Sequence, residues 1–188
     1  MGIKPKGSFM RRLSGVLLGA VLSLCPGYAM ASPHGWSQAS NIARTVVVAS
    51  ALGLPTVNGD WKGTLQAGES VGAAYLISEG LKQTFPEMRP DGSNRHSFPS
   101  AHTATAFAAA ASLQNRYGWQ VGVPAQLVAA FVGVARVEGK KHHWFDVAAG
   151  MAIGEASGFL LTGRKDDNIR IFPWAAHDGA GASLALRF

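Results

Sequence analysis

Cysteine is almost missing from this chain of 188 residues: there is one, Cys25. It lies inside an N-terminal stretch with the pattern of a secretory signal, so the remainder contains no disulfide and no thiolate metal site. Leu24, large where a small residue is expected, argues against lipid attachment at Cys25. A cysteine-free domain suits an oxidising envelope compartment. Acidic residues are also missing from positions 1–31, which hold four of the 17 basic residues and none of the 11 acidic ones. The formal charge of +6 therefore falls to +2 beyond Ala31. No block of like charge and no basic stripe with interleaved aromatics occurs, so the high pI does not indicate a nucleic-acid-binding face. Sequence repeats and long disordered tracts are absent too.

The first 31 residues divide into the parts of a signal peptide. Lys4, Lys6, Arg11 and Arg12 form a positive region, Leu13 to Leu24 is apolar, and Ala29-Met30-Ala31 is an A-x-A cleavage site. Cleavage is expected after Ala31; the alternative is an uncleaved anchor. Residues 32–165 then form one helical domain, and 166–188 a tail.

Within that domain the spacing of apolar residues predicts an all-α fold. Residues 32–41 read as an exposed lead. Helices are expected over Ile42–Leu54, Trp61–Ala67, Glu69–Phe85, Ser100–Tyr117, Val121–Val137 and Asp146–Leu161, with breaks at Gly53, Pro55, Pro86, Gly118 and Gly139. Gly150, Gly154 and Gly158 fall on one helical face and favour close helix contact. In the tail, Asn168–Trp174 and Ala182–Phe188 read as a short β-hairpin around a loop at His177–Gly181.

Counting the signal, there are six apolar segments. A bilayer span takes about 20 predominantly apolar residues, whereas Ile42–Leu54 has 13. Glu69, Glu79, Lys82 and Glu155 lie inside other segments, where charge is costly. The reading is a soluble domain exported to the periplasm, with peripheral membrane contact left open. The alternative is an inner-membrane protein with its site facing the periplasm.

The chemistry gathers around Pro90–Ala111. Ser97-Phe98-Pro99-Ser100 leads into an Ala-rich helix, Ser being a preferred cap and Pro suiting a first turn. His102 then stands at a helix N-terminus, where free N–H groups and the dipole favour an anion, phosphate above all. Lys82 and Arg89 precede this loop; Arg136, His142 and Asp146 follow it. Arg offers phosphate a planar bidentate fork. His102 can protonate a leaving oxygen. His142 and Asp146 are four apart, so the carboxylate can fix one ring nitrogen and leave the other to attack. The adjacent pair His142-His143 is a poor chelate, and no carboxylate stands at a recognised zinc spacing from it.

In this order the motifs resemble the type-2 phosphatidic acid phosphatase and vanadium haloperoxidase superfamily. That signature, K-x6-RP, PSGH and SR-x5-H-x3-D, stands here as Lys82…Arg89-Pro90, Pro99-Ser100-Ala101-His102 and Ala135-Arg136…His142…Asp146. The resemblance covers about residues 60–160. It implies a helical bundle with the active site at one end. Lys82, Arg89, Arg136, Ser100 and the Ala101 N–H would hold the phosphoryl oxygens. His142 would attack phosphorus to form a phosphohistidine, Asp146 would orient it, and His102 would protonate the leaving alcohol. No metal or other cofactor is implied. Two departures stand out: Ala101 replaces a glycine and narrows the pocket, and Ala135 replaces a serine. The function implied is metal-independent hydrolysis of phosphate monoesters or lipid (pyro)phosphates, the substrate being a phosphorylated small molecule or lipid. A vanadate-dependent haloperoxidase and a non-catalytic phosphate- or lipid-binding module are the alternatives.

Overall fold

The computed structural model describes residues 32–164, 169–176 and 179–186. The expected signal segment, 1–31, and residues 165–168, 177–178 and 187–188 of the tail, among them Asn168 and Phe188 of the two expected strands, lie outside the described residues. Five helices follow in order: α1 Pro33–Val57, α2 Trp61–Thr84, α3 Ala101–Tyr117, α4 Trp119–Glu138 and α5 Trp144–Leu161. Two antiparallel strands close the chain, β1 Ile169–Ala176 and β2 Gly179–Leu186, with Ile169 opposite Leu186 and Ala176 opposite Gly179. The helical bundle is thus the expected class. The hairpin also forms, with Gly179–Gly181 paired in the second strand rather than looped.

Two expected boundaries are corrected. The lead 32–41 is helical, because Ser32 accepts a hydrogen bond from the Gly35 N–H at 3.1 Å and Pro33 sits at the first position, where it loses no bond. Trp36 then packs on Phe131 of α4, ring centroids 6.2 Å apart. Likewise Trp61–Ala67 and Glu69–Phe85 form one helix: Asp60 caps it through the Gly63 N–H, and Gly68 is carried without a break.

The centre of the bundle is α3. Of its alanines, Ala104, Ala106 and Ala108 to Ala111 are fully buried, with α1, α4 and α5 around them. Short side chains let the backbones come close. On α5 a Cβ at Gly150 would stand 2.6 Å from the Ser100 carbonyl, at Gly154 2.3 Å from the Ala104 carbonyl, and at Gly158 2.4 Å from the Ala111 Cβ. These contacts ascend both helices together, so α3 and α5 run parallel and begin at the same end of the bundle. At the other end, buried Arg116 forks onto the Asp60 carboxylate at 2.5 and 2.6 Å, tying the end of α3 to the cap of α2. Gly118, at φ 83°, then turns α3 directly into α4, a conformation that costs glycine little.

Gly154→Ala should therefore destabilise the bundle. Overpacking costs about 1–3 kcal/mol, which outweighs the ~1 kcal/mol that alanine gains over glycine in a helix. Gly80→Ala is the control, since a Cβ there meets nothing within 4 Å. It should be neutral or raise stability by about 0.4–1 kcal/mol. Thermal unfolding of the two variants under one set of conditions checks the difference.

Candidate active site

The parallel α3 and α5 bring two helix N-termini side by side, and every residue singled out in the sequence lies at this end. Ser100 caps α3, its hydroxyl accepting from Thr103 Oγ1 at 2.9 Å, while its own N–H donates to the Asp146 carbonyl at 3.0 Å. Ala101 and His102 open the helix, Ala101 buried and His102 partly so. Lys82 is buried in the last turn of α2, paired with Glu79. Arg89 lies in the loop between α2 and α3. Arg136, buried near the end of α4, donates from Nη1 to Ser37 Oγ at 3.2 Å and Ser40 Oγ at 3.3 Å on α1.

His142 is buried in the link between α4 and α5. Its Nδ1 lies 2.8 Å from the carbonyl oxygen of Ser97. A carbonyl only accepts, so Nδ1 carries the ring proton and Nε2 keeps the lone pair. Asp146 stands at 3.6 Å from the same nitrogen, too far for a good hydrogen bond. The expected carboxylate–imidazole pair therefore stands close without a directional bond, which belongs instead to the Ser97 backbone. Ser97 joins the two groups: its hydroxyl donates to Asp146 Oδ2 at 2.5 Å. That oxygen also accepts from the His143 N–H at 2.8 Å, closing a capping box at the start of α5.

Electrostatics confirm that these groups share one space. Burial, then the positive charge of Arg136 and Arg44, the coupling to the neighbouring His142 and the charge of Lys82, pushes the His102 imidazole down to about 2. Burial lowers His142 as well, opposed by Asp146 and assisted by Arg136 and Arg89. Both rings are neutral in the unliganded protein at neutral pH. Meanwhile the Nε–H groups of Arg89 and Arg136 are buried without a hydrogen-bond partner. An unpaired buried donor costs about 1–3 kcal/mol. Two guanidinium donors left so, beside two helix N-termini and a buried lysine, suit an oxyanion.

Glu87, His143 and Asp146 are the one group of three metal-ligand residues among the described residues, their ligand atoms within 4.8 Å of one another. Asp146 Oδ2 in that group already accepts two hydrogen bonds.

Arg44, Ser97, Ser37 and Ser40 were not singled out in the sequence. Ser97 acts through its carbonyl and a through-space bond that no spacing reveals. The two serines lay in the stretch read as an exposed lead. Arg44 carried one legible signal: it is the only Lys, Arg, Asp or Glu in the 25 residues of α1.

Comparison with known proteins follows the same lines. Residues 63–170 match the PAP2 superfamily. A lipid A 1-phosphatase of Porphyromonas gingivalis is 36% identical over 105 residues, covering 52% of this chain and 23% of the relative. A lipid A 4'-phosphatase of Helicobacter pylori is 30% identical over 116 residues, covering 55% of this chain and 59% of the relative. The chain thus spans less than two thirds of the length of either. Among solved structures, Aquifex aeolicus LpxE superposes with a TM-score of 0.54 at 20% identity, over 80% of this chain and 90% of the other. A transmembrane PAP2 type phosphatidylglycerolphosphate phosphatase from Bacillus subtilis superposes with a TM-score of 0.55 at 22% identity, over 82% and 83%. At these identities the structures show a shared fold.

The His142 environment makes a titration prediction. In isotope-labelled protein the His142 ring should titrate below 6.5, its ordinary value. Asp146→Asn should move it lower still, because the lost carboxylate charge favoured the imidazolium. The sign carries into stability: the native state binds fewer protons than the unfolded chain, so this contribution is intact above about pH 6.5 and is lost as pH falls below it. NMR of the ring nitrogens checks both; a titration at or above 6.5 contradicts the burial argument.

Proposed function

The chain belongs to the PAP2 superfamily, and on that premise we propose that it is a lipid phosphate phosphatase working through a phosphohistidine at His142. The observation that carries the reading is the pair of unpartnered guanidinium N–H groups, on Arg89 and Arg136, beside an imidazole whose free nitrogen is Nε2. The names of the two curated relatives point to phosphate on a lipid, lipid A being the example they supply.

The steps balance within the site. Lys82, Arg89, Arg136 and the N–H groups at the start of α3 hold the phosphoryl oxygens. His142 Nε2 attacks phosphorus as the bond to the leaving oxygen breaks, and His102 gives that oxygen its proton. Water then attacks the phosphohistidine, His102 takes a proton from the water, and inorganic phosphate departs with His142 restored. Positive charge spread over the three cations and the helix ends offsets the charge that develops on the oxygens. A neutral His102 in the unliganded site fits this cycle. Burial depresses the ring most and the nearby cations add to it; a phosphate dianion offsets the cations and so favours the protonated His102 that the first step uses.

The same reading places the protein at the inner membrane, with the catalytic end toward the periplasm. Around that end, Phe85, Met88, Trp144 and Phe145 are about half exposed or more. Aromatic residues of this kind gather where headgroups meet hydrocarbon. Further along, Leu65, Leu76, Leu127, Met151 and Leu160 face outward, and α4 is long and apolar enough to cross a bilayer, with half of its window buried in the bundle. An outer surface so apolar favours lipid contact over free solution.

The role of His102 makes the sharpest test of this reading. His102→Ala should slow alkyl phosphates by about 10²–10⁴-fold, the usual scale of general acid catalysis. Aryl phosphates, whose leaving groups need little protonation, should lose much less. Equal losses for the two ester types would overturn the assignment.

A further inference from the structure

Beside the catalytic end a groove of about 610 Å³ runs between α1 and α2. We propose that it is the acyl-chain subsite of the enzyme, holding one hydrocarbon chain of a lipid phosphate whose phosphate lies at His142; this rests on the lipid phosphatase reading above.

Four observations carry the assignment. First, the groove is apolar along its length and cationic at one end. Val48, Leu52 and Val71 line it, with Arg44, Thr45 and Thr105 at the end toward the site. Second, it continues the site on all three walls. On α1, Ser37 and Ser40 hold Arg136, and Arg44 and Val48 follow on the same helical face. On α2, Tyr75 lies two turns below Lys82. On α3, Thr105 lies one turn below His102 and its hydroxyl donates to the His102 carbonyl at 3.2 Å. Third, the Arg44 charge acts on His102, so the groove's one cation belongs to the field that receives the phosphate. Fourth, the floor includes Gly72. Glycine inside a helix costs about 1 kcal/mol relative to alanine. At Gly154 close packing requires it; at Gly72 a Cβ would meet nothing within 4 Å. Its missing side chain leaves the groove open.

A second groove, about 560 Å³ between α2 and α5, makes the contrast. It is lined by Ile77, Ala156, Leu160 and their neighbours, with no cation and no catalytic residue along it. Arg44 therefore marks the α1–α2 groove as the one matched to an amphiphile with an anionic head.

The test uses the full chain in detergent and reads one ratio: kcat/KM for dioleoyl phosphatidate in mixed micelles over kcat/KM for p-nitrophenyl phosphate. Gly72→Leu and Val48→Trp fill the groove from opposite walls, and Ala156→Leu fills the other groove. The ratio should fall at least tenfold in the first two and stay within twofold of wild type in the third. If either α1–α2 variant fails to fold, as thermal unfolding would report, the other decides. A ratio unchanged in a folded filled variant, or lowered equally by Ala156→Leu, would overturn the subsite while leaving the lipid phosphatase reading intact. Wild-type protein that cleaves p-nitrophenyl phosphate but neither phosphatidate nor lipid A would instead overturn that reading; if lipid A alone is cleaved, it replaces phosphatidate in the ratio.

Discussion

The contact between α3 and α5 governs everything else in this protein. Gly150, Gly154 and Gly158 meet Ser100, Ala104, Ala108 and Ala111 so closely that no side chain fits between the backbones. Parallel helices packed this way begin at the same end of the bundle. The seam therefore delivers two N-termini to one place, with the Ser100 N–H donating to the Asp146 carbonyl to join them. Both dipoles then present their positive ends to the same small volume. A bundle held by larger side chains would separate its helices by the ordinary 8–10 Å or so and would spread that field.

Into this volume the remaining helices bring cations, of which Lys82 is paired with Glu79. α2 brings Lys82, α4 brings Arg136, and α1 brings Arg44 along with the serines that brace Arg136. The cost is visible in the histidines. Both are depressed by burial and by neighbouring positive charge, so neither is protonated in the unliganded site at neutral pH. For a nucleophile that state is an advantage, and the Ser97 carbonyl fixes which nitrogen is free. For the proposed acid it is a handicap that a bound dianion lessens by offsetting the cations, while the burial remains. In the proposed mechanism the two imidazoles serve opposite ends of one reaction, distinguished by what they touch: a backbone carbonyl for His142, a helix N-terminus among cations for His102.

The sequence disclosed which residues gather at the candidate site better than how they touch one another. Lys82, Arg89, Ser100, His102, Arg136, His142 and Asp146 were legible as one cluster because they follow motif spacing at helix ends and in the links between them. The glycines every fourth residue in α5 announced a close contact, and the alanines of α3 a tight partner. Three things stayed hidden. The Ser97 carbonyl is a backbone atom, and every residue has one. Residues 32–41 looked like an exposed lead, since Pro33 and two nearby serines read as loop chemistry until Ser32 is seen to cap a helix and Arg136 to reach Ser37 and Ser40. Arg44 needed the fold to bring the middle of α1 beside the start of α3. The reading as a soluble domain rested on segment length and on charges such as Glu69 and Glu155, counted along the chain without sight of the outer surface.

The central claim is that His142 forms a covalent bond to phosphorus, and one measurement tests it directly. Purified protein is mixed with substrate labelled in the phosphoryl group, quenched within milliseconds, and digested to locate the label. The account predicts a phosphoprotein that is stable in base and labile in acid, with the label on the peptide carrying His142 and lost in His142→Ala. A label on any other residue, or turnover with no phosphoprotein at any quench time, would contradict it.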